Sequence, residues 1–214
     1  MTERLVEIFS LIPSCETFAD IGCDHGYISY AMLKEKKAKK VIFADVSAKC
    51  LKKAEELLEP YVKLGLAQGI VSDGFSSLPE VEVSLIAGMG GEEIISIINN
   101  APFLPKTFIL QPMKNSEKVR ALLILKGYKI IKDYTFYSDK KYYDLILATV
   151  GTDSLSEEEI YFGKTNLLEK PTAFIEKWQS KKEEIKRYLS EKSLKEESKK
   201  NLLLELERIE KYVK

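Results

Sequence analysis

Two carboxylates stand inside a glycine-bounded turn in the run Phe18-Ala19-Asp20-Ile21-Gly22-Cys23-Asp24-His25-Gly26-Tyr27. An apolar stretch precedes the turn and a helical pattern follows it, the layout of a strand, a nucleotide-sized pocket and a helix. A dinucleotide site of the G-x-G-x-x-G kind brings bare backbone to a pyrophosphate at the helix N-terminus, but here Asp24 stands where the second glycine would be. A carboxylate in that place repels pyrophosphate. A ligand with no phosphate, a positive sulfonium and ammonium, and a single carboxylate suits the turn better, and S-adenosylmethionine is such a ligand. The turn therefore predicts a methyl-donor site on Asp20, Gly22, Cys23, Asp24, His25 and Gly26, whose glycines let the cofactor lie against backbone. Taken alone, the same residues also make an ordinary strand-to-helix turn with an Asp cap.

Further strand ends carry compatible groups. Asp45, in Phe43-Ala44-Asp45-Val46-Ser47, lies about twenty residues beyond the glycine turn, where a carboxylate can take both hydroxyls of an adenosine ribose, with Val46 and Ser47 beside it. It can equally cap the helix that follows. Ser72-Asp73-Gly74-Phe75 suits an adenine edge, with Asp73 accepting from the exocyclic amine, Gly74 next to it and Phe75 packing nearby. Carboxylates at several strand ends together argue for a bound cofactor. The run Ala87-Gly88-Met89-Gly90-Gly91 lacks the Asp/Asn-Pro-Pro-aromatic signature of enzymes that methylate exocyclic base amines, and its glycines leave room for a planar acceptor. A flexible turn is the plainer reading of it. Leu110-Gln111-Pro112-Met113-Lys114-Asn115 adds an amide, a rigid kink and a cation to the same rim. Cys15, Cys23 and Cys50 show no C-x-x-C spacing and His25 is the single histidine, so neither a disulfide framework nor a metal is expected.

These residues need an α/β frame to meet. Short β-branched runs at 17–21, 40–44, 69–72, 83–87 and 106–110 alternate with amphipathic segments at 27–36, 48–64, 92–99 and 116–126, which predicts βαβ units and a parallel sheet. Ligands of such sheets sit beyond the C-terminal ends of the strands. After Gly127, the strand-like runs Tyr128–Tyr137 and Tyr142–Val150 are joined only by Ser138–Lys141, too short for a crossover, so an antiparallel hairpin is expected. Parallel strands ending in such a hairpin match the Rossmann-like layout of class I methyltransferases. Beyond Gly151 the composition turns to Glu, Lys and Leu. Pro171 suits the first turn of a helix running to about Ser190, with Ile175, Trp178, Ile185 and Leu189 at a/d spacing. After a break at Glu191–Ser193, Leu202, Leu206, Ile209 and Val213 continue the pattern, which predicts an antiparallel, coiled-coil-like helical hairpin. The expected organisation is a cofactor-binding domain over 1–150 and a helical extension over 151–214. The extension either stabilises or dimerises the protein or grips its substrate.

Charge narrows the partners. Acidic and basic residues number 33 each in 214, so a nucleic-acid contact must be a local patch and not a global field. No run of about 18 apolar residues is present, which predicts no membrane span. The start Met1-Thr2-Glu3-Arg4 lacks a signal-peptide core. A reduced, cytoplasmic protein with no required protein partner is expected.

Asp20-Ile21-Gly22 followed by Asp24-His25, then Ala87-Gly88-Met89-Gly90-Gly91, Leu110-Gln111-Pro112, Lys126-Gly127-Tyr128 and the helical extension together resemble the bacterial tRNA (adenine(22)-N1)-methyltransferase family over essentially the whole chain. The Asp-His pair and the Ala-Gly-Met-Gly-Gly run are the more specific parts. The chain departs from the family's common pattern at Cys23, Gly26 and Ser29, where Ser or Thr, Ala and Pro are usual. The resemblance implies transfer of a methyl group from S-adenosylmethionine to N1 of an adenine in tRNA, with Ala87, Gly88 and Met89 also at the cofactor. It points to Asp24 as the catalytic carboxylate, since methylation leaves the adenine cationic. His25 by itself is more often a turn or packing residue. RNA contacts then fall to Arg4, Gly90, Gln111, Pro112, Lys114, Lys140 and Lys141, with Lys118 and Arg120 as further cations and Tyr137 and Tyr142 as stacking rings. The basic run Lys34–Lys40 precedes the second strand and is read as a solvated face away from the cofactor. Competing readings are a methyltransferase for another RNA, a protein or a small molecule, and a noncatalytic RNA-binding module.

Overall fold

The structure, a computed structural model, describes residues 1–190 and 194–213, so the expected helix break at 191–193 lies outside the described residues. Helix α1 (Glu3–Leu11) leads into β1 (Cys15–Ile21), α2 (Tyr27–Lys34), β2 (Ala38–Asp45), α3 (Ala48–Lys63) and β3 (Ala67–Val71). Then follow β4 (Val83–Met89), α4 (Gly91–Asn99), β5 (Thr107–Pro112), α5 (Ser116–Leu125), β6 (Tyr128–Ser138) and β7 (Lys141–Val150). The sheet order is β3-β2-β1-β4-β5-β7-β6. The pairs from β3 through β5 are parallel, and β7 inserts antiparallel between β5 and β6. This is the Rossmann-like layout expected for the chain.

Every residue of β5 is buried, as a strand covered on both faces requires. Side-chain alternation divides the core between those faces. Ala19 and Ile21 of β1 join one apolar cluster with Ile94, Phe108 and Val119, while Phe18 joins the other with Ile8, Met32, Leu58 and Ile109. Phe75 belongs to the first cluster, edge-on to Phe103 and Phe108. The β6–β7 link is tighter than the four residues expected. Asp139 and Lys140 take φ values of 49° and 61°, a two-residue hairpin turn, which lets Ser138 pair with Lys141.

Beyond β7 come α6 (Glu157–Phe162), α7 (Lys164–Glu169), α8 (Thr172–Leu189) and α9 (Glu196–Tyr212). The first two were not predicted, although Ser156 and Glu159 form a reciprocal capping box of the S-x-x-E kind that is readable in the sequence. The a/d residues predicted for the last two helices form the third apolar cluster, with Phe162, Phe174, Ile185 and Ile209 at its centre and Trp178 and Leu206 against it.

The terminal helices are fastened to β6 and β7 by buried polar groups. Asp133 accepts from Arg120 Nε at 2.7 Å and from the backbone N–H of Thr165 at 2.8 Å and of Lys164 at 3.2 Å. Arg120 Nη1 donates to the carbonyls of Ile160 and Tyr161. Arg120 is therefore corrected as an RNA-binding candidate: it is 1% exposed, turned inward by its partner Asp133. Among the described residues no helix is long and apolar enough to cross a membrane.

Candidate cofactor and acceptor site

A cavity of about 350 Å³ lies at the C-terminal ends of β1, β2 and β4, under the start of α1. Of the residues predicted to hold a cofactor, Asp20, Gly22, Cys23, Asp24, His25, Asp45, Ala87, Gly88 and Met89 line it. They converge because β1 lies between β2 and β4 and all three strands run the same way. Leu5, Tyr27, Ile28 and Leu85 complete the wall and escaped sequence reading, having nothing in their types to distinguish them from core residues.

The wall suits S-adenosylmethionine. The volume falls in the range of small-molecule sites, about 300–1,000 Å³. Asp20, Asp24 and Asp45 offer acceptors for cationic and hydroxyl groups, and Arg4 offers a cation for one carboxylate. At Gly22, with φ 73°, a side chain would start 2.3 Å from Met89 Cε, so the bare backbone is what lets the Met89 thioether lie over the turn. Gly26 has a different reason than the one predicted. It does not line the cavity; with φ 71°, its missing Cβ would stand 2.9 Å from Ala54 Cβ, so the glycine serves the approach of α3.

Asp20 is 5% exposed and accepts from Ser29 Oγ at 2.8 Å. Burial pushes its carboxyl up to about 6, against the lowering effect of the Ser29 hydroxyl and with a smaller upward push from Asp45. Burial likewise holds the Cys23 thiol well above its ordinary value, with Asp20 and Asp45 adding to it, so this cysteine is a wall and not a nucleophile. Asp45 Oδ1 accepts from the backbone N–H of Ser47, and Ser47 caps α3 through Cys50 N–H. Asp24, at φ 48°, holds its largely exposed carboxylate 2.7 Å from His25 Nδ1 at the lip of the cavity. The His25 ring stacks on Tyr27, with centroids 5.7 Å apart. This partnership of Asp24 with His25 gives the histidine an orienting contact that a lone turn residue would lack.

The rim beside the cavity, the candidate acceptor side, is built from the ends of β4 and β5. Their register shifts between Ala87 and Met89, a bulge centred on Gly88. Gln111 is fully buried, and its Oε1 accepts from Arg4 Nη1 at 2.7 Å. Arg4 was predicted at the RNA, but it lies on the cofactor cavity, stacked 5.7 Å from the Tyr143 ring. Gln111 likewise points inward to Arg4 and to the Pro112 carbonyl. Lys114 is exposed beside Gly90, with its Cε 3.4 Å from a Cβ built there.

Some predicted residues stay apart from the cavity. Asp73 and Gly74 do not line it, because the chain beyond β3 turns its Phe75 side chain into the core and leaves Asp73 exposed. Val46 is 68% exposed and also off the wall, as is the cap residue Ser47. Lys118 is ion-paired with Glu92. Within the basic run, Lys37 donates to the Phe9 carbonyl and Lys39 pairs with Glu16, at the opposite ends of the strands from the cavity.

Comparison with known proteins points the same way. The sequence pattern of a methyltransferase-domain family matches residues 1–146. A Mycoplasma pneumoniae protein provisionally named a tRNA methyltransferase is 31% identical over 173 residues, covering 76% of this chain and 79% of that protein. The Bacillus subtilis tRNA (adenine(22)-N(1))-methyltransferase is 28% identical over 193 residues, covering 83% and 79% of the two chains. Among solved structures, M. capricolum TrmK with S-adenosyl-homocysteine matches with a TM-score of 0.91 at 23% identity, covering 100% of this chain and 97% of that one.

Proposed function

This chain belongs to the methyltransferase-domain family whose pattern spans its residues 1–146, and from that premise we propose that it methylates N1 of adenine 22 in tRNA, in the cytoplasm, using S-adenosylmethionine. The observation that carries this reading is the acidic cavity whose wall includes the end of β4 at Ala87, Gly88 and Met89, next in the chain to Gly90 and Gly91, so that a donor and a planar acceptor would have adjoining places. The B. subtilis relative, matched over most of both chains, carries that activity in its name.

Bound S-adenosylmethionine supplies an electrophilic methyl carbon. Asp45 would take the ribose hydroxyls, Asp20 would face the ligand's positive end from its buried position, and Arg4 would take the carboxylate. Neutral N1 of adenine has a free lone pair, so attack needs no strong base and depends on alignment. A base taken out of its stack would approach the cavity edge at Gly88, where the strand register shifts. The product adenine is cationic. Asp24, at the lip and oriented by His25, stabilises that charge and can accept a proton from N6.

The test is incubation with labelled S-adenosylmethionine and unmodified tRNA, followed by digestion to nucleosides. The label should appear in 1-methyladenosine mapped to position 22, and Asp24→Ala should retain the fold but lose most transfer. Label in another nucleoside, or only in protein, would replace the tRNA N1 reading. Near-wild-type turnover of Asp24→Ala would remove that carboxylate from catalysis.

A further inference from the structure

Between the acceptor rim and the terminal helices runs a continuous line of contacts, buried at Asp144 and Ser116, that neither the cofactor nor a target base is needed to explain. Lys177 Nζ of α8 sits 2.8 Å from both carboxylate oxygens of Asp144 on β7. The same carboxylate accepts from Thr135 Oγ1 at 2.7 Å and from Ser116 Oγ at 2.7 Å. Ser116 and Asp144 are both buried, and Ser116 is the first residue of α5. It follows Asn115, which is held at φ 57°, a conformation its surroundings must support.

The loop before Ser116 is clasped to the glycine turn after β4. Met113 N–H donates to the Met89 carbonyl at 2.8 Å, and Gly91 N–H donates to the Lys114 carbonyl at 3.0 Å. The fit is close, since a Cβ on Gly91 would meet the carbonyl oxygens of Lys114 and Asn115 at 2.6 and 2.7 Å. Loop and turn therefore move together or not at all. The loop is fixed at one end by β5 and at the other by the hydroxyl of Ser116 on Asp144.

We infer that Lys177, Asp144 and Ser116 are positioning residues, through which α8 holds the β5–α5 loop, and with it the Gly88–Gly91 turn, in the alignment that methyl transfer requires. The inference rests on the transferase reading above. Asp144 keeps Lys177 and Thr135 when Ser116 loses its hydroxyl, so Ser116 contributes little to satisfying the buried charge. What its bond specifies is where α5 starts. On this view the terminal helices act on the reaction without touching the RNA.

Two variants test it, Ser116→Ala and Lys177→Met, with Ser116→Thr and Lys177→Arg as conservative restorations. Amide hydrogen exchange is read at Met113 and Gly91, with Gly22 as an internal reference on the other side of the cavity. Both disruptive variants should speed exchange at Met113 and Gly91 by about tenfold or more and leave Gly22 unchanged, as a local opening does. Their kcat for tRNA should fall about ten- to a hundredfold, the scale of a slightly misplaced reacting pair, with KM for tRNA and affinity for S-adenosylhomocysteine unchanged. The restorations should recover kcat. Unchanged exchange in both variants overturns the inference, as does faster exchange with full kcat. Failure of the wild-type protein to methylate tRNA would count against the transferase reading alone, and exchange would still decide whether the line from Lys177 holds the loop.

Discussion

Asp20 holds its charge in an unfavourable place, since burial pushes its carboxyl up to about 6 while Ser29 donates to it from the first turn of α2. A bound sulfonium or ammonium favours the ionised form, so cofactor affinity should rise as pH increases from about 5 to 7. The free protein should respond oppositely. A carboxyl whose folded pKa of about 6 exceeds its ordinary 3.8 contributes stability below the lower value and loses it as pH passes the higher one. Calorimetric titration of S-adenosylmethionine across that range, with Ser29→Ala moving the midpoint upward, checks the assignment; a flat profile for the wild type would remove Asp20 from ligand contact. Asp45→Ala should weaken the same ligand by about 1–3 kcal/mol, because two ribose hydroxyls lose their acceptor. Unchanged affinity would leave Asp45 merely a partner of Ser47 N–H. Asp20, Asp24 and Asp45 were legible in the sequence because a strand end followed by a turn is a local pattern. Arg4 and Ser29 were legible only in part: the Arg4–Gln111 bond joins residues 107 apart, and the role of Ser29 depends on which face of α2 looks toward β1. Asp73 stands at a strand end, which is a local pattern, but its place outside the cavity wall depends on the course of the chain beyond it, set by Phe75 in the core.

Strand and helix order was readable from periodicity, and the antiparallel pairing of β6 with β7 followed from a link too short for a crossover, whereas the insertion of β7 beside β5 rested on the match to the class I methyltransferase layout. Periodicity could not show how the terminal helices attach, because the attachment uses charged residues in a buried seam. Arg120 looked like a surface cation on α5 until its partner Asp133, on the neighbouring β6, was in view. That pairing makes a sharp prediction. Arg120→Ala leaves Asp133 buried with only backbone donors, and chemical denaturation should show a loss of about 3–5 kcal/mol. A loss below about 1 kcal/mol would mean that water readily replaces the guanidinium. Asp144 belongs to the same seam. Burial alone would raise its carboxyl, yet Lys177 and then Arg120 draw it well below the usual carboxylate range. Its lowered pKa means that its contribution to stability is present above about pH 4 and is lost on acidification toward the folded value. Lys177→Met should therefore flatten the acid limb of the stability profile.

At the scale of the molecule, 33 acidic and 33 basic residues leave no net charge with which to attract a polyanion. Binding of tRNA must then come from the placement of a few cations. Because β7 runs antiparallel to β5, the hairpin turn with Lys140 and Lys141 lies beyond the same sheet edge as Lys114, on the side of the cofactor cavity. All three are exposed, whereas Lys39 and Lys118 are tied to Glu16 and Glu92. The terminal helices carry many lysines but pair several of them, including Lys181, Lys182 and Lys186, with neighbouring glutamates. The rim should consequently carry most of the phosphate contact. Changing Lys114, Lys140 and Lys141 to alanine one at a time should weaken tRNA binding and reduce the slope of log affinity against log salt by about 1 for each lysine that meets a phosphate. Affinity for S-adenosylhomocysteine should stay unchanged, since none of the three lines the cavity. Filter binding at several salt concentrations makes the distinction. A full slope in all three variants, together with a reduced slope when Lys199 and Lys200 of α9 are neutralised, would move the RNA contact from the rim to the helices.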